Sequence, residues 1–318
     1  MKKIALLTSG GDAPGMNAHI RAVVRYALDK QIEVIGIIGG YSGMIQGNFI
    51  KLTRKDTVNI ISCGGTILKT SRSKEFLSPG GRAAAARNLK NNGIEGVIAC
   101  GGDGTFHGAH YLWLEHRINI VGTPGTIDND IYGTDYTIGY DTAVNTCTSA
   151  IDKIRDTADS HGIVFIVEVM GRHAGFIAMD VGISTGSEFI AVPETVTNLD
   201  ILYQKILQQG LNRRTIIIVG EGDEVGGATV FAKILKENYN IDSKVTILGH
   251  IQRGGNPTVR DRVLASRLGV AALDALIDGQ TDVMVGEIGG QITYTPLEET
   301  WTRKKALPNY LVELSELL

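Results

Sequence analysis

Short apolar runs recur along this chain, each ending in a cluster of glycine and polar residues and followed by a segment with helical spacing. Residues 4–7 lead into TSGGDAPG, 34–38 into GGYSG, 97–100 into GGDGT and 118–121 into PGTIDND. The second half continues with 164–169 into MGRHAG, 216–219 into GEGDE and 245–248 into GHIQRGG. Continuous rather than alternating apolar runs, interleaved with helices, predict parallel strands covered on both faces. Between them, Ile20, Val23, Val24, Ala27 and Leu28 make one helical stripe, leaving Arg21 and Arg25 on another face. Ala143, Cys147, Ile151, Ile154 and Ala158 make a second stripe on a long helix. The expected class is α/β, with ligands bound beyond the carboxyl ends of the strands, where the scattered motifs should converge.

At 318 residues and 43% hydrophobic composition the chain can bury a core large enough for two domains, with a boundary expected near residues 137–140. A net charge of −3 gives no footing for nucleic acid or an anionic membrane surface. The apolar run after Lys2 and Lys3 ends at Leu7, too short for a signal peptide, and no run approaches a membrane span. A cytoplasmic protein is expected. Cys63, Cys100 and Cys147 form no CxxC pair, so they are expected to be buried thiols in a reducing compartment. The 40 glycines fall where apolar runs end, which suggests sharp turns and close backbone approach to ligands.

Three motif groups carry chemistry. TSGGDAPG (residues 8–15) has the glycine spacing of a P-loop, but Met16 and Asn17 stand where Lys and Ser/Thr belong. It remains either a tight turn or a strand-to-helix phosphate cradle. In GGDGTFHG (residues 101–108), His107 displaces the third glycine of a dinucleotide fingerprint. Gly102 and Gly104 could instead let a polyphosphate approach while Asp103 holds Mg²⁺, with Thr105 as the cap of the next helix. PGTIDND offers Asx turns or a proton acceptor among Thr126, Asp128, Asn129 and Asp130, anchored by Ile127. Arg172, His173, His250 and Arg253, just past two further strands, make a basic set suited to an anionic substrate. Glycine-rich, acidic and basic sites together are the inventory of phosphoryl transfer.

Taken in order and spacing, TSGGDAPGMN, GGDGT, PGTIDND, EVMGRHAG and GHIQRGG resemble the bacterial ATP-dependent 6-phosphofructokinases over essentially the whole chain. The resemblance implies two Rossmann-like three-layer α/β/α domains with mainly parallel sheets and an active site in the cleft between them. Residues 1–139 with 254–302 would form the larger ATP-binding domain, and 140–253 with 303–318 the smaller sugar-phosphate domain. It implies a homotetramer that transfers the γ-phosphoryl of ATP, with Mg²⁺, to the 1-hydroxyl of fructose 6-phosphate. By matching position, Asp128 is the base, aided by Thr126, Arg172 and Arg72, and Asp103 the metal ligand. Gly11, Arg72, Ser73, Gly102, Asp103, Gly104 and Thr105 would surround ATP. Thr126, Ile127, Asp128, Met170, Gly171, Arg172, Glu221, Lys244, His250 and Arg253 would hold the sugar phosphate. Gly104 and Gly125 stand where pyrophosphate-using relatives carry larger side chains, which favours ATP as donor.

The match has gaps. Ile163 and Lys244 occupy positions where the family places arginines on the sugar phosphate, predicting weaker fructose 6-phosphate binding with the chemistry intact. Arg21, Arg25, Arg54, Arg155 and Glu188 match an ADP or phosphoenolpyruvate effector site. The family's lysines ahead of Glu221 are not matched by Leu211, Asn212, Arg213 and Arg214, so regulation is only partly implied. The stretch GDEVGGAT after Glu221 reads as a longer surface loop. Rival readings are a pyrophosphate-dependent enzyme, a kinase of another sugar phosphate, and a non-catalytic sugar-phosphate or nucleotide sensor.

Overall fold

A computed structural model describes residues 1–209 and 215–317; Leu211, Asn212, Arg213 and Arg214 lie outside the described residues. The strands are β1 Lys3–Thr8, β2 Glu33–Ile37, β3 Phe49–Leu52, β4 Gly96–Gly101, β5 Ile120–Pro124, β6 Val164–Val169, β7 Phe189–Ala191, β8 Thr215–Gly220, β9 Ser243–Ile247, β10 Val283–Ile288 and β11 Gln291–Pro296. The main helices are α1 Met16–Asp29, α2 Gly40–Gln46, α3 Pro79–Asn91, α4 Asp103–His116, α5 Tyr140–His161, α6 Phe176–Thr185, α7 Leu199–Gln209, α8 Ala228–Tyr239 and α9 Val259–Ile277. No described helix is long and apolar enough to cross a membrane.

The chain divides into two compact units. The first comprises Met1–Ile127, Ile131–Thr142 and Arg253–Lys305; the second comprises Asp128–Asp130, Ala143–Gln252 and Ala306–Leu318. The first holds a seven-stranded sheet in the order β11-β10-β5-β4-β1-β2-β3. Its five central strands are parallel, and only β3 and β11 run antiparallel to their neighbours. The second holds a four-stranded parallel sheet, β7-β8-β6-β9.

Parallel strands covered by helices must be apolar on both faces. Accordingly β4 and β8 are buried at every position. In the first unit Leu7, Val97, Phe106, Leu112 and Met284 belong to one core cluster. In the second, Ile166, Ile217, Phe231 and Leu235 make another. The stripe on α1 is buried at Ile20, Val23, Val24 and Ala27, with Leu28 half-buried, and α1 packs against α9. On α5, Ala143, Cys147, Ile151 and Ala158 are buried and Ile154 half-buried.

Three expectations need correction. Cys63 is exposed, whereas Cys100 and Cys147 are buried, and burial pushes both of those thiols up to about 12. Thr105 does not cap α4: the helix begins at Asp103 with Gly102 at its cap, and Thr105 lies buried in the first turn. The stretch after Glu221 is not a free surface loop. Asp223 is buried and accepts from the Thr197 hydroxyl at 2.8 Å and the Val225 amide at 3.0 Å. The Ala228 amide, at the head of α8, donates to Glu168 Oε2 on β6 at 2.8 Å.

Candidate active site

In the first unit the three glycine- and acid-bearing motifs leave the carboxyl ends of neighbouring strands. Thr8 pairs with Cys100, and Cys100 with Thr123, in register. The turns are stitched together by the Ser9 amide donating to the Cys100 carbonyl at 3.0 Å and the Gly125 amide to the Gly101 carbonyl at 2.9 Å. The chain leaves β1 for β2 on one side and β4 for β5 on the other, which makes the β1/β4 edge a topological switch point, the usual ligand site of such sheets.

The segment carrying Arg72 and Ser73 is tied to this edge. The Thr70 hydroxyl donates to the Gly10 carbonyl at 2.7 Å, and Ser73 Oγ accepts from the Phe76 amide at 3.2 Å. Phe76 stacks on Tyr41 with ring centroids 3.9 Å apart, while the Tyr41 hydroxyl donates to the Thr105 carbonyl at 2.5 Å. Arg72 itself is exposed. Gly11 has a specific steric duty: a Cβ there would stand 2.3 Å from Nη1 of Arg253, whose guanidinium donates to the Asp12 carbonyl at 3.2 Å. The guanidinium of Arg253 thus lies on the turn after β1.

Asp103 is exposed in the first turn of α4 and accepts from the Gly104 amide at 2.7 Å. Among the described residues, no group of three or more His, Cys, Asp or Glu side chains could hold a metal ion. A single carboxylate suits Mg²⁺, which keeps phosphate oxygens and water in most of its shell.

In the second unit the basic motifs leave β6 and β9, with β8 on the far side of β6. Arg172 lies in the turn after β6 with φ of 53°, a backbone region that disfavours a side chain and persists only where surroundings hold it. They do so here. Its amide donates to Glu221 Oε1 at 2.8 Å, and the Glu221 amide donates in turn to the Val169 carbonyl at 3.0 Å. Arg172 Nε then stands 3.5 Å from Oδ2 of Asp128, whose residue is 1% exposed. A buried carboxylate beside a half-exposed guanidinium has the chemistry to accept a proton next to a group that can offset negative charge.

The family described as Phosphofructokinase matches residues 3–276. "ATP-dependent 6-phosphofructokinase 1" of Thermus thermophilus is 55% identical over 320 residues, covering 100% of this chain and 99% of that protein. "ATP-dependent 6-phosphofructokinase" of Cytophaga hutchinsonii is 51% identical, covering 100% and 98%. The chain belongs to the phosphofructokinase family. The structure of phosphofructokinase from Saccharomyces cerevisiae superposes with a TM-score of 0.88 at 36% identity, over 99% of this chain and 47% of that one. This chain therefore spans about half the length of the yeast protein.

Within this phosphofructokinase fold Gly104 and Gly125 differ in kind. A Cβ on Gly104 meets nothing within 4 Å, so the position faces open space. A Cβ on Gly125 would stand 2.6 Å from Cys100 Sγ and 3.1 Å from Met16 Cε. Gly125 is thus required by the protein's own core, whereas Gly104 leaves room for a ligand.

Thr126 is 9% exposed, Ile127 is fully buried, Gly102 and Met170 are half-buried and Gly171 is buried. Lys244, His250, His173 and Glu221 are exposed, and Ile163 is half-buried. Of the effector set, Arg21, Arg25 and Arg54 lie in the first unit. There Arg25 Nε donates to Thr57 Oγ1 at 3.3 Å, Arg54 pairs with Asp29, and burial followed by the Arg25 charge pulls Arg21 below its ordinary value. Arg155 and Glu188 lie in the second, spent on the Thr185 carbonyl and the Ile216 amide respectively.

Gln252, which no motif singles out, ties together the backbone around the basic turns. It is fully buried in GHIQRGG, and its Oε1 accepts from the Met170 amide and Cys147 Sγ, each at 3.1 Å. Its Nε2 donates to the Gly249 carbonyl at 3.0 Å, so one amide side chain joins the turns after β6 and β9. Its place inside the motif after β9 was its only signal in the sequence.

Proposed function

We propose that the acidic turn after β5 is the reactive centre of an ATP-dependent 6-phosphofructokinase, which transfers the γ-phosphoryl of ATP to the 1-hydroxyl of fructose 6-phosphate. The observation that carries this is the buried Asp128 carboxylate held against Arg172. The substrate pair follows from the full-length relatives that bear that name at 55% and 51% identity. Asp128 accepts the hydroxyl proton, and Arg172, with Arg72, offsets charge on the transferring group. The larger unit takes ATP, with Gly11, Arg72, Ser73, Gly102, Gly104 and Thr105 around it. Asp103 would hold Mg²⁺, which when bound neutralises phosphate charge. Thr126, Ile127 through its backbone, Met170, Gly171, Lys244, His250 and Arg253 hold the sugar phosphate, and Glu221 acts by fixing Arg172. A cytoplasmic homotetramer with a partial ADP or phosphoenolpyruvate site is part of the same reading. A coupled assay with fructose 6-phosphate, run with ATP and Mg²⁺ and again with pyrophosphate, tests it. Turnover with pyrophosphate alone would refute the donor.

Ile163→Arg should lower the KM for fructose 6-phosphate by about tenfold, the value of one charge-assisted hydrogen bond, with kcat unchanged; an unaltered KM counts against the role of that position. Gly11→Ala should leave folding intact, because the clashing atom ends a flexible side chain. It should nonetheless reduce kcat/KM for the sugar phosphate by about tenfold or more, because the Arg253 guanidinium is displaced. A loss confined to the KM for ATP would show that Gly11 serves the nucleotide alone.

A further inference from the structure

The first unit buries a carboxylate at the head of α9. Asp261, in the first turn of α9, is 1% exposed. Its Oδ1 accepts from the Gly139 amide at 2.8 Å, and its Oδ2 from the Thr142 amide at 2.8 Å and the Thr142 hydroxyl at 2.5 Å. The Thr258 amide closes the network by donating to Thr142 Oγ1 at 3.0 Å, and the Thr258 hydroxyl donates to Asp141 at 2.5 Å. Asp261 therefore grips both ends of residues 139–142.

The residues just before that grip hold the turn after β5. The buried Thr137 hydroxyl donates to the Thr126 carbonyl at 2.6 Å, and the Ile138 amide donates to the Pro124 carbonyl at 2.8 Å. Gly125 and Ile138 form a parallel bridge. Residues 137–138 thus form a strap across residues 124–126, and the strap continues directly into the segment that Asp261 fixes. The chain reaches Asp128 two residues after Thr126.

The arrangement is not an economical way to stabilise a fold. Burial outweighs the hydrogen bonds and pushes the Asp261 carboxyl up to about 6. Its ionised form is therefore held against a desolvation penalty that a well-packed apolar side chain would avoid. What a carboxylate can do, and an apolar group cannot, is accept three donors at once from a non-ladder segment.

We propose that Asp261 is a positioning residue for phosphoryl transfer, fixing through residues 139–142 the Thr137–Ile138 strap that sets the backbone of residues 124–126. The proposal rests on the reading of the turn after β5 as the reactive centre. Wild-type turnover of ATP and fructose 6-phosphate tests that reading by itself, so the variants below judge Asp261 alone once the wild type is active.

The experiment compares Asp261→Asn, Thr137→Val, Thr137→Ser and the double variant Asp261→Asn/Thr137→Val, each shown to be folded by circular dichroism at the assay temperature. Asn supplies one acceptor and turns an N–H₂ group on the remaining donors. Asp261→Asn and Thr137→Val should each lower kcat by up to about 10²-fold, the loss that follows a misplacement on the order of 1 Å, with the KM for ATP little changed. Thr137→Ser should return kcat to near the wild-type value. The double variant should lose little more than the worse single one, because both act through the same strap. Lowered melting temperatures with kcat unchanged, or losses that multiply in the double variant, would overturn the proposal. If Asp261→Asn does not fold, Thr137→Val against Thr137→Ser decides, and an unaltered kcat in both overturns it.

Discussion

Asp128→Asn should reduce kcat by about 10²–10⁴-fold, the range associated with loss of a positioned general base. At about 1.4 kcal/mol per tenfold, this corresponds to roughly 3–5 kcal/mol of transition-state stabilisation. The substitution keeps the shape of a residue that is 1% exposed, so the fold should survive. It also removes a negative charge 3.5 Å from Arg172 Nε. The guanidinium would then be freer to attract an anionic substrate, so the KM for fructose 6-phosphate should be unchanged or lower. Arg172 is 38% exposed at its side chain and well screened, which keeps that second effect small beside the first. Steady-state kinetics separate the two. A raised KM at unaltered kcat would mean that Asp128 only binds substrate.

What was legible in the sequence was decided by burial. The parallel strands β1, β4 and β8 are buried at nearly every position, so each carries a continuous apolar run, and β2 and β6 carry runs interrupted only by Gly36 and Glu168; the motifs at their carboxyl ends could be located directly. β3 and β11 run antiparallel at the sheet edges with exposed positions and produce no such run, whereas β7 lies in the apolar run 189–192, which no glycine cluster follows. The β10–β11 hairpin did carry a signal in Gly289 and Gly290, both at positive φ, which is favoured in tight hairpin turns. β5 lies further along the chain than the run at 118–121 suggests. It continues through Gly122, which accommodates the Phe106 ring, and through Thr123, whose hydroxyl meets a buried partner. Local composition cannot show such partners. The same applies to Gln252 with Met170 and to Thr137 with Thr126, pairs whose members stand far apart in sequence or carry no distinctive residue type. The chemistry of the acidic and basic turns was legible as residue types, whereas the groups that fix their backbones were not.

The buried partner of Thr123 is His19, and it should make the protein acid-labile. His19 lies on α1, fully buried, with Nε2 3.0 Å from Thr123 Oγ1 and Nδ1 without a hydrogen-bond partner among the described residues. Burial lowers its pKa from 6.5 to about 3. In the unfolded chain it protonates near 6.5, so between these values the unfolded state binds the additional proton and stability rises with pH. The contribution is fully present above about 6.5 and is lost as pH falls toward 3, by about 5 kcal/mol at 1.36 kcal/mol per pKa unit. That is a large share of a typical stability of about 5–15 kcal/mol. Asp261 acts with the opposite sign. Its pKa is raised from 3.8 to about 6, so acidification through that window favours the folded state by about 3 kcal/mol and masks part of the loss. The wild-type profile alone is therefore ambiguous, and the difference from His19→Gln isolates the histidine. The glutamine amide can reach Thr123 but cannot titrate. Denaturant midpoints measured from pH 7.5 to 4 should fall more steeply for the wild type than for His19→Gln, with the gap opening below about 6.5. Parallel profiles would show that His19 does not resist protonation in the folded state. In that case the contact between α1 and β5, beneath the turns that carry Gly11 and Thr126, would have to tolerate a charge.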